Sequence, residues 1–232
     1  MRWLAGIVIL ALLVWAALPK LRPYLPPGYD PLAPLSVDDP PTFVTRYKLR
    51  QLSADIPACL EVLAQARQAG RISYSLPGDT KGTCPLASPV RVQGFGPVSL
   101  SSSFLASCPL ALSSAMFVSQ SARPQAQAVL GTALTRVDHL GSYACRTIYS
   151  RPGARLSEHA SAEALDLSAF RFADGRRVTV LAGWQQEGQP TAYLKTIFSQ
   201  SCRYYGNSIG PDYNTAHANH FHLGMRGFGV CR

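Results

Sequence analysis

Acidic residues are scarce in this chain: 13 Asp+Glu stand against 22 Lys+Arg, a formal net charge of +9, and charged residues of all kinds make up 15%. The excess of positive charge is not arranged for nucleic acid. No Lys/Arg run with interleaved aromatics occurs, and no nucleic-acid motif does. It suits an anionic partner of another kind, such as lipid headgroups or a cell-wall polymer. The six cysteines contain no C-x-x-C pair, which excludes a cysteine zinc cluster. No internal repeat is present, so an array of stacked units is excluded as well. With 47% hydrophobic residues over 232 positions, the chain suits one ordinary globular domain plus accessory segments.

What is present begins at the N-terminus. Arg2 is followed by an uncharged apolar run from Trp3 to Leu18. As a helix those residues span about 24 Å, slightly short of a bilayer core of about 30 Å. A signal peptide and a short anchor both fit. Cleavage after Ala16 places Val14 at −3, but Trp15 and the nearby Pro19 make the site poor. The reading favoured is an uncleaved anchor over residues 1–18, inserted in the cell inner membrane through residues 3–18, with the rest of the chain in the periplasm. Lys20 and Arg22 follow the run, so charge bias sets the orientation only weakly. The cysteines agree with export. Cys59, Cys84, Cys108, Cys145, Cys202 and Cys231 are even in number and spread out, which reads as three structural disulfides in an oxidising compartment. Cys202–Cys231 is the expected pair, because it closes the segment that carries three histidines.

Residues 19–41 are proline-dense, with Pro26-Pro27-Gly28 and Pro40-Pro41. They are read as a stiff tether, with a loop wrapping the domain as the alternative. The domain itself is placed at 42–232. Leu49, Leu52, Ile56, Leu60 and Leu63 predict helix between about Thr42 and Ala69. Short β-like pieces such as Val90-Arg91-Val92 lie between Ile72 and Leu105. A second helical block is expected from Pro109 to Leu140, split at Pro124 into a helical hairpin. Strands are expected at Ala164–Phe170 and Arg177–Leu181 around the turn signature Asp174-Gly175, a helix at Thr191–Cys202, and a last strand at Phe221–Met225. The class is α+β: a helical N-terminal portion packed on a small antiparallel sheet, stabilised by disulfides.

Four of the five histidines lie in two segments, Ser157-Glu158-His159…Asp166 and His217-Ala218-Asn219-His220-Phe221-His222. On one straight helix His159 and Asp166 would stand about 10.5 Å apart along the axis, too far to share an ion. A turn after His159 leading into a strand near Ala164 brings them together, and small residues there permit close approach. Alternation puts His220 and His222 on one face of the last strand, with Phe221 on the other. One histidine, one aspartate and one of the terminal histidines then make an open Zn2+ site, with two histidines left for acid–base work. No glutamate lies near the C-terminal cluster in sequence, and the closest upstream acid is Asp212. The base is therefore assigned to a histidine, His220 first and His217 second. His139 is read as a surface or satisfied core residue.

Ser157-x-His159 through Ala164-x-Asp166, with His217-x-x-His220-x-His222, resembles the LAS group of zinc peptidases, which holds the D-Ala-D-Ala carboxypeptidases and a murein endopeptidase. The stretch from about Pro26 to Arg232 resembles the bacterial extensin-like C-terminal domain. Its marks here are Gly141-Ser142-Tyr143-Ala144-Cys145-Arg146, Ser157-Glu158-His159, Gly210-Pro211-Asp212-Tyr213-Asn214 and His220-Phe221-His222. The chain has no Ser-Pro repeat, so the name implies no fibrous rod. The resemblance implies an LAS-type sheet, His159, Asp166 and His222 as zinc ligands, and His220 beside the attacking water with His217 helping. It makes Ser157 an orienting residue and an arginine before the Ser-x-His motif a substrate holder: Arg151, with Arg155 and Arg146 as alternatives. It implies a zinc-dependent carboxypeptidase or endopeptidase acting on peptidoglycan stem peptides. A non-catalytic zinc-containing domain that binds peptidoglycan or another anionic envelope polymer is the alternative. The chain departs from the pattern at Ala162, where the LAS group has glycine, and at Gly224, where extensin-like relatives carry an acid.

Overall fold

The computed structural model describes residues 2–227 and 229–232; Met1 and Phe228, which fall in the segments assigned to the anchor and the domain, lie outside the described residues. Helix α1 (Arg2–Leu21) runs past Leu18 through Pro19 and Lys20. At 1.5 Å per residue it is about 30 Å long, which makes up the shortfall of the apolar run alone. Among the described residues it is the one helix long and apolar enough to cross a membrane. The proline-rich stretch that follows is not a free tether along its whole length. Leu35 and Val37 are buried in the core, and the Gln120 amide donates to the Val37 and Asp39 carbonyls. From Leu35 onward the stretch therefore wraps the folded body.

Helices α2 (Phe43–Leu52) and α3 (Ile56–Gln68) follow, separated where the Asp55 carboxylate accepts the Ala58 N–H and Pro57 enters the first turn. One sheet then dominates. Its strands are β1 (Ser73–Ser75), β2 (Val90–Phe95), β3 (Val98–Ala106), β4 (Leu134–Gly141), β5 (Ala164–Phe172), β6 (Arg177–Thr179), β7 (Asn207–Ile209) and β8 (Phe221–Gly224). The order is β1-β2-β3-β4-β5-β8-β7, with β6 also pairing β5. The expected small antiparallel sheet is thus eight-stranded and mostly antiparallel, with one parallel pair, β3 and β4. Gly96, at φ +59°, opens the two-residue turn between β2 and β3.

That parallel pair accounts for the chief correction. Parallel neighbours need a crossover, here α4 (Cys108–Phe117), a π-turn at Val118–Ala122, and α5 (Arg123–Leu130). The expected split at Pro124 into a hairpin does not occur. The Arg123 N–H reaches back five residues to the Val118 carbonyl, and this widened turn takes up the proline within one continuous helix. Nor does helix extend to Leu140. Leu130, Leu134 and Val137 have helical spacing, but Gly131 closes α5 in the left-handed region, at φ +68°, and Leu134 opens β4. All ten residues of α4 are buried, which makes it the central helix behind the sheet. β6 also ends early, at Thr179, whose hydroxyl accepts the Ala182 N–H and starts α6 (Val180–Gly183). Helix α7 (Gln189–Ser201) packs beside it, with Trp184, Phe198 and Phe221 in mutual contact.

Disulfides join Cys59–Cys108, Cys84–Cys145 and Cys202–Cys231. The last is the pair expected from the sequence.

Candidate metal centre

The turn after His159 is a short 3-10 segment, Glu158–Ser161, capped by the Ser157 hydroxyl, which accepts the His159 N–H. Ala162 then adopts φ +52°, ψ +35°, and the chain enters β5. Glycine takes that conformation without strain, so alanine at this turn carries a backbone cost. Backbone bonds pin the turn on both sides: Ser107 N–H donates to the Ala162 carbonyl, and Met225 N–H to Glu163. In β5, Asp166 stands directly opposite His222 of β8. A cross-strand pair thus supplies two of the donors and the turn supplies the third.

His159, Asp166 and His222 each offer one donor atom, all within 4.8 Å of one another. Which nitrogens face the centre follows from their partners. His159 Nδ1 lies 2.7 Å from the Ser142 carbonyl, which can only accept, so Nδ1 carries the proton. His159 Nε2 then turns a lone pair toward Asp166 Oδ2 at 3.2 Å. His222 Nε2 lies 3.4 Å from Glu158 Oε2, and its Nδ1 3.0 Å from Asp166 Oδ1. With Nε2–H given to Glu158, Nδ1 also presents a lone pair to the aspartate. Lone pairs and carboxylate oxygens that converge in this way need a cation between them, a proton or a metal. The far nitrogens are held by a carbonyl and a carboxylate, the usual arrangement behind metal-binding histidines. The donor set fits Zn2+.

Proton affinities follow the same contacts. Without a metal the shared cation is a proton: burial works against the charged form of His222, but the hydrogen bonds that ring donates to Asp166 and Glu158 outweigh it and raise it to about 9. Burial likewise opposes ionisation of Asp166, yet the hydrogen bonds to His159 and His222 hold that carboxyl well below its ordinary range. Glu158 is also lowered: against burial it accepts from His222, the Arg226 N–H and Asn207. His217 goes the other way. Burial, followed by repulsion from charge on the neighbouring rings of His220 and His222, pulls it down to about 4. His220 is lowered chiefly by burial too, although Asp166 opposes this. Each of these two rings gives its Nδ1–H to an asparagine, His217 to Asn214 and His220 to Asn219, both at 2.7 Å. His220 Nε2 is left 3.7 Å from Asp166 Oδ2, beside the three donors.

These groups line a cavity of about 520 Å3, whose wall also includes Tyr149, Tyr213, Arg146 and Arg155. Arg151 is not brought to this wall; its guanidinium lies over the Tyr149 ring, 5.4 Å from the centroid. Asp212 is taken by the Trp184 indole N–H at 2.7 Å. His139 sits on β4, with Nε2 bonded to the Ser102 carbonyl, its ring edge-on to Phe104, and Nδ1 buried without a partner among the described residues, so it is only half satisfied. Glu158 is the residue sequence reading missed. It was counted as no neighbour of the C-terminal histidines, yet its carboxylate is buried against His222. Gly224 is required for this: a Cβ there would stand 2.6 Å from both Glu158 oxygens. The space beside Gly224 is thus filled by the carboxylate of Glu158. The asparagines were missed as well, although Asn219 beside His220 and Asn214 three residues before His217 are a local signal.

A family model described as Extensin-like protein C-terminus matches residues 57–232. No curated protein and no solved structure matches the chain.

Proposed function

The chain belongs to the extensin-like C-terminal family, and we propose that it is a zinc-dependent peptidase, anchored in the inner membrane by α1, that cleaves peptidoglycan stem peptides in the periplasm. One observation carries this reading: the donors of His159, Asp166 and His222 converge on the wall of a large cavity with two neutral histidines beside them. Two histidines and one carboxylate leave a coordination position open, as in hydrolytic zinc sites, whereas structural zinc is closed by four protein ligands. The ligand spacing extends the resemblance to the LAS peptidases. A bound Zn2+ would polarise the scissile carbonyl and lower the pKa of the attacking water.

The protein's own part is proton handling and positioning. His220 is the base. Its Nδ1–H is fixed by Asn219 and burial keeps it neutral, so Nε2 accepts a proton from the attacking water and passes it to the leaving amine. His217, held neutral by burial, packs against the His220 ring at 5.2 Å between centroids and keeps it in place. Arg146 and Arg155, rather than Arg151, are the cations placed to hold a peptide carboxylate. Three disulfides suit an oxidising compartment, and the net charge of +9 suits an anionic wall polymer.

The test is metal analysis of the purified full chain, then incubation with muropeptides and mass spectrometry. One zinc per chain and EDTA-sensitive shortening of the peptides are expected. A chain without zinc sinks the proposal. Zinc without cleavage leaves a non-catalytic envelope-binding domain.

A further inference from the structure

Helix α2 carries a face that the core does not use. Val44, Thr45, Lys48 and Leu49 are buried, while Phe43, Arg46, Tyr47 and Arg50 point outward. The outward set has spacing i, i+3, i+4 and i+7, one continuous stripe. An outward stripe of two aromatics and two arginines is unusual in water. Phe43 is 75% exposed, and next to it Tyr29 packs edge-on at 5.9 Å. Tyr24, 84% exposed, lies just upstream. Among the described residues no carboxylate lies within ion-pair distance of Arg46 or Arg50, so their charge is not neutralised inside the fold. Arg46 and Arg50 also flank a cleft of about 240 Å3 that no acid lines among those residues.

The chain's route says what this face meets. α1 ends at Leu21, and the next residue, Arg22, is ion-paired to Asp30 at 2.8 Å. Gly28 lies against Pro40, and Thr42, the cap of α2, donates to the Gly28 carbonyl. Gly28 is seven positions on from Leu21, so the start of α2 stands within about 25 Å of the end of the apolar helix. With α1 in a bilayer, the stripe is within reach of the headgroups. Aromatic rings and arginines are the side chains that suit that layer, with apolar bodies and polar or charged ends.

We propose that the outward face of α2, with Tyr24 and Tyr29, docks on the anionic phospholipid surface in which α1 is anchored. The inference rests on α1 being that anchor. It gives the domain a fixed attitude to the membrane, held at two points instead of swinging on one.

The full chain is reconstituted in discs of phosphatidylcholine and in discs that also contain phosphatidylglycerol. Hydroxyl-radical oxidation of side chains is then read by mass spectrometry. Incorporation into either disc tests the anchor alone, and a chain that stays out overturns both the anchor and this proposal. For incorporated chains, Phe43 and Tyr47 are expected to oxidise more slowly in the anionic discs, with Tyr213 and Leu181 unchanged. Arg46→Glu with Arg50→Glu restores oxidation, each arginine counting for about fivefold in the docked population, the factor implied by ~1 kcal/mol per surface cation. High salt should act in the same direction without any substitution. Equal rates in the two discs, insensitivity to salt, or protection that grows with chains per disc would each overturn the proposal, the last in favour of self-association.

Discussion

His217 and His222 lie in one cavity with ring centroids 5.8 Å apart, and the protein pulls them in opposite directions. His222 stands between two carboxylates and is raised to about 9; His217, facing an asparagine oxygen and other rings, is lowered to about 4. Both are buried, so burial alone does not separate them. The difference is the acid: Asp166 and Glu158 reach His222, and neither is in contact with His217. Carboxylate contact prepares a ring to hold a cation, and its absence leaves a ring neutral and free to handle protons. Titratable groups pushed apart by their surroundings mark out acid–base roles. On the zinc reading proposed above, His222 belongs with His159 among the metal donors, and His217 with His220 among the rings that handle protons.

The largest effect should come from removing each side of that division in turn. Asp166→Ala takes the shared carboxylate from His159 and His222, and bound zinc should fall from one per chain to background on metal analysis. His220→Ala should keep the zinc and lower kcat by about 10²–10⁴, the usual contribution of a positioned base. If His220→Ala loses the metal as well, the division of the histidines is wrong.

A smaller loss is expected from the second carboxylate. Glu158→Gln keeps the shape and the contact with Asn207 but removes the charge behind His222. Zinc affinity should fall by about 10–100-fold, as for other partners behind a metal-binding histidine. Competition with a chelator measures this, and an unchanged affinity would reduce Glu158 to a packing residue.

Next come the two opposite slopes in the metal-free protein. His222 has a folded pKa above its ordinary value, so its contribution is complete below about 6.5 and is lost as pH rises toward 9. His217 has a folded pKa below its ordinary value, so stability falls as pH drops from 6.5 toward 4. EDTA-treated protein should therefore be most stable near pH 6.5, with each limb worth at most about 3 kcal/mol. Thermal melts across pH measure it. His217→Gln should flatten the acid limb, and zinc should remove the basic limb by holding His222 neutral at every pH. A metal-free protein that gains stability from pH 7 to 9 would contradict the carboxylate contacts.

Part of this was legible in the sequence. The two histidine segments, the need for a turn after His159, the inward face of Phe221 and the Cys202–Cys231 bridge all follow from spacing and local chemistry. What could not be read depended on distant pairing. Leu134–Leu140 has helical spacing and became β4 because β3 offers it an edge across the crossover, a contact between residues 37 positions apart. Glu158 looked unconnected to the C-terminal histidines because only the pairing of β5 with β8 folds them over it. Arg151 was the first choice among the arginines before the motif, yet the backbone carries it onto Tyr149 and leaves Arg146 and Arg155 on the cavity wall. The resemblance ranked these arginines, and backbone direction reordered them.

The smallest effect concerns the hinge on which the metal pair depends. Ala162 is the left-handed residue between the turn that carries His159 and the strand that carries Asp166. For an L-residue with a side chain that conformation costs roughly 1–2 kcal/mol relative to the right-handed one. Ala162→Gly removes the strain but frees the unfolded chain, which returns about 0.4–1 kcal/mol of the gain. The side chain is also buried, so a methyl contact is lost. A net stabilisation of about 0.5 kcal/mol or less should remain, with zinc affinity unchanged. Ala162→Val should lower stability by more than the glycine raises it, because a branched side chain fits the left-handed region worst. Paired thermal melts of the two variants measure this. If valine is tolerated as well as glycine, the turn between His159 and Asp166 is not held at the angle described.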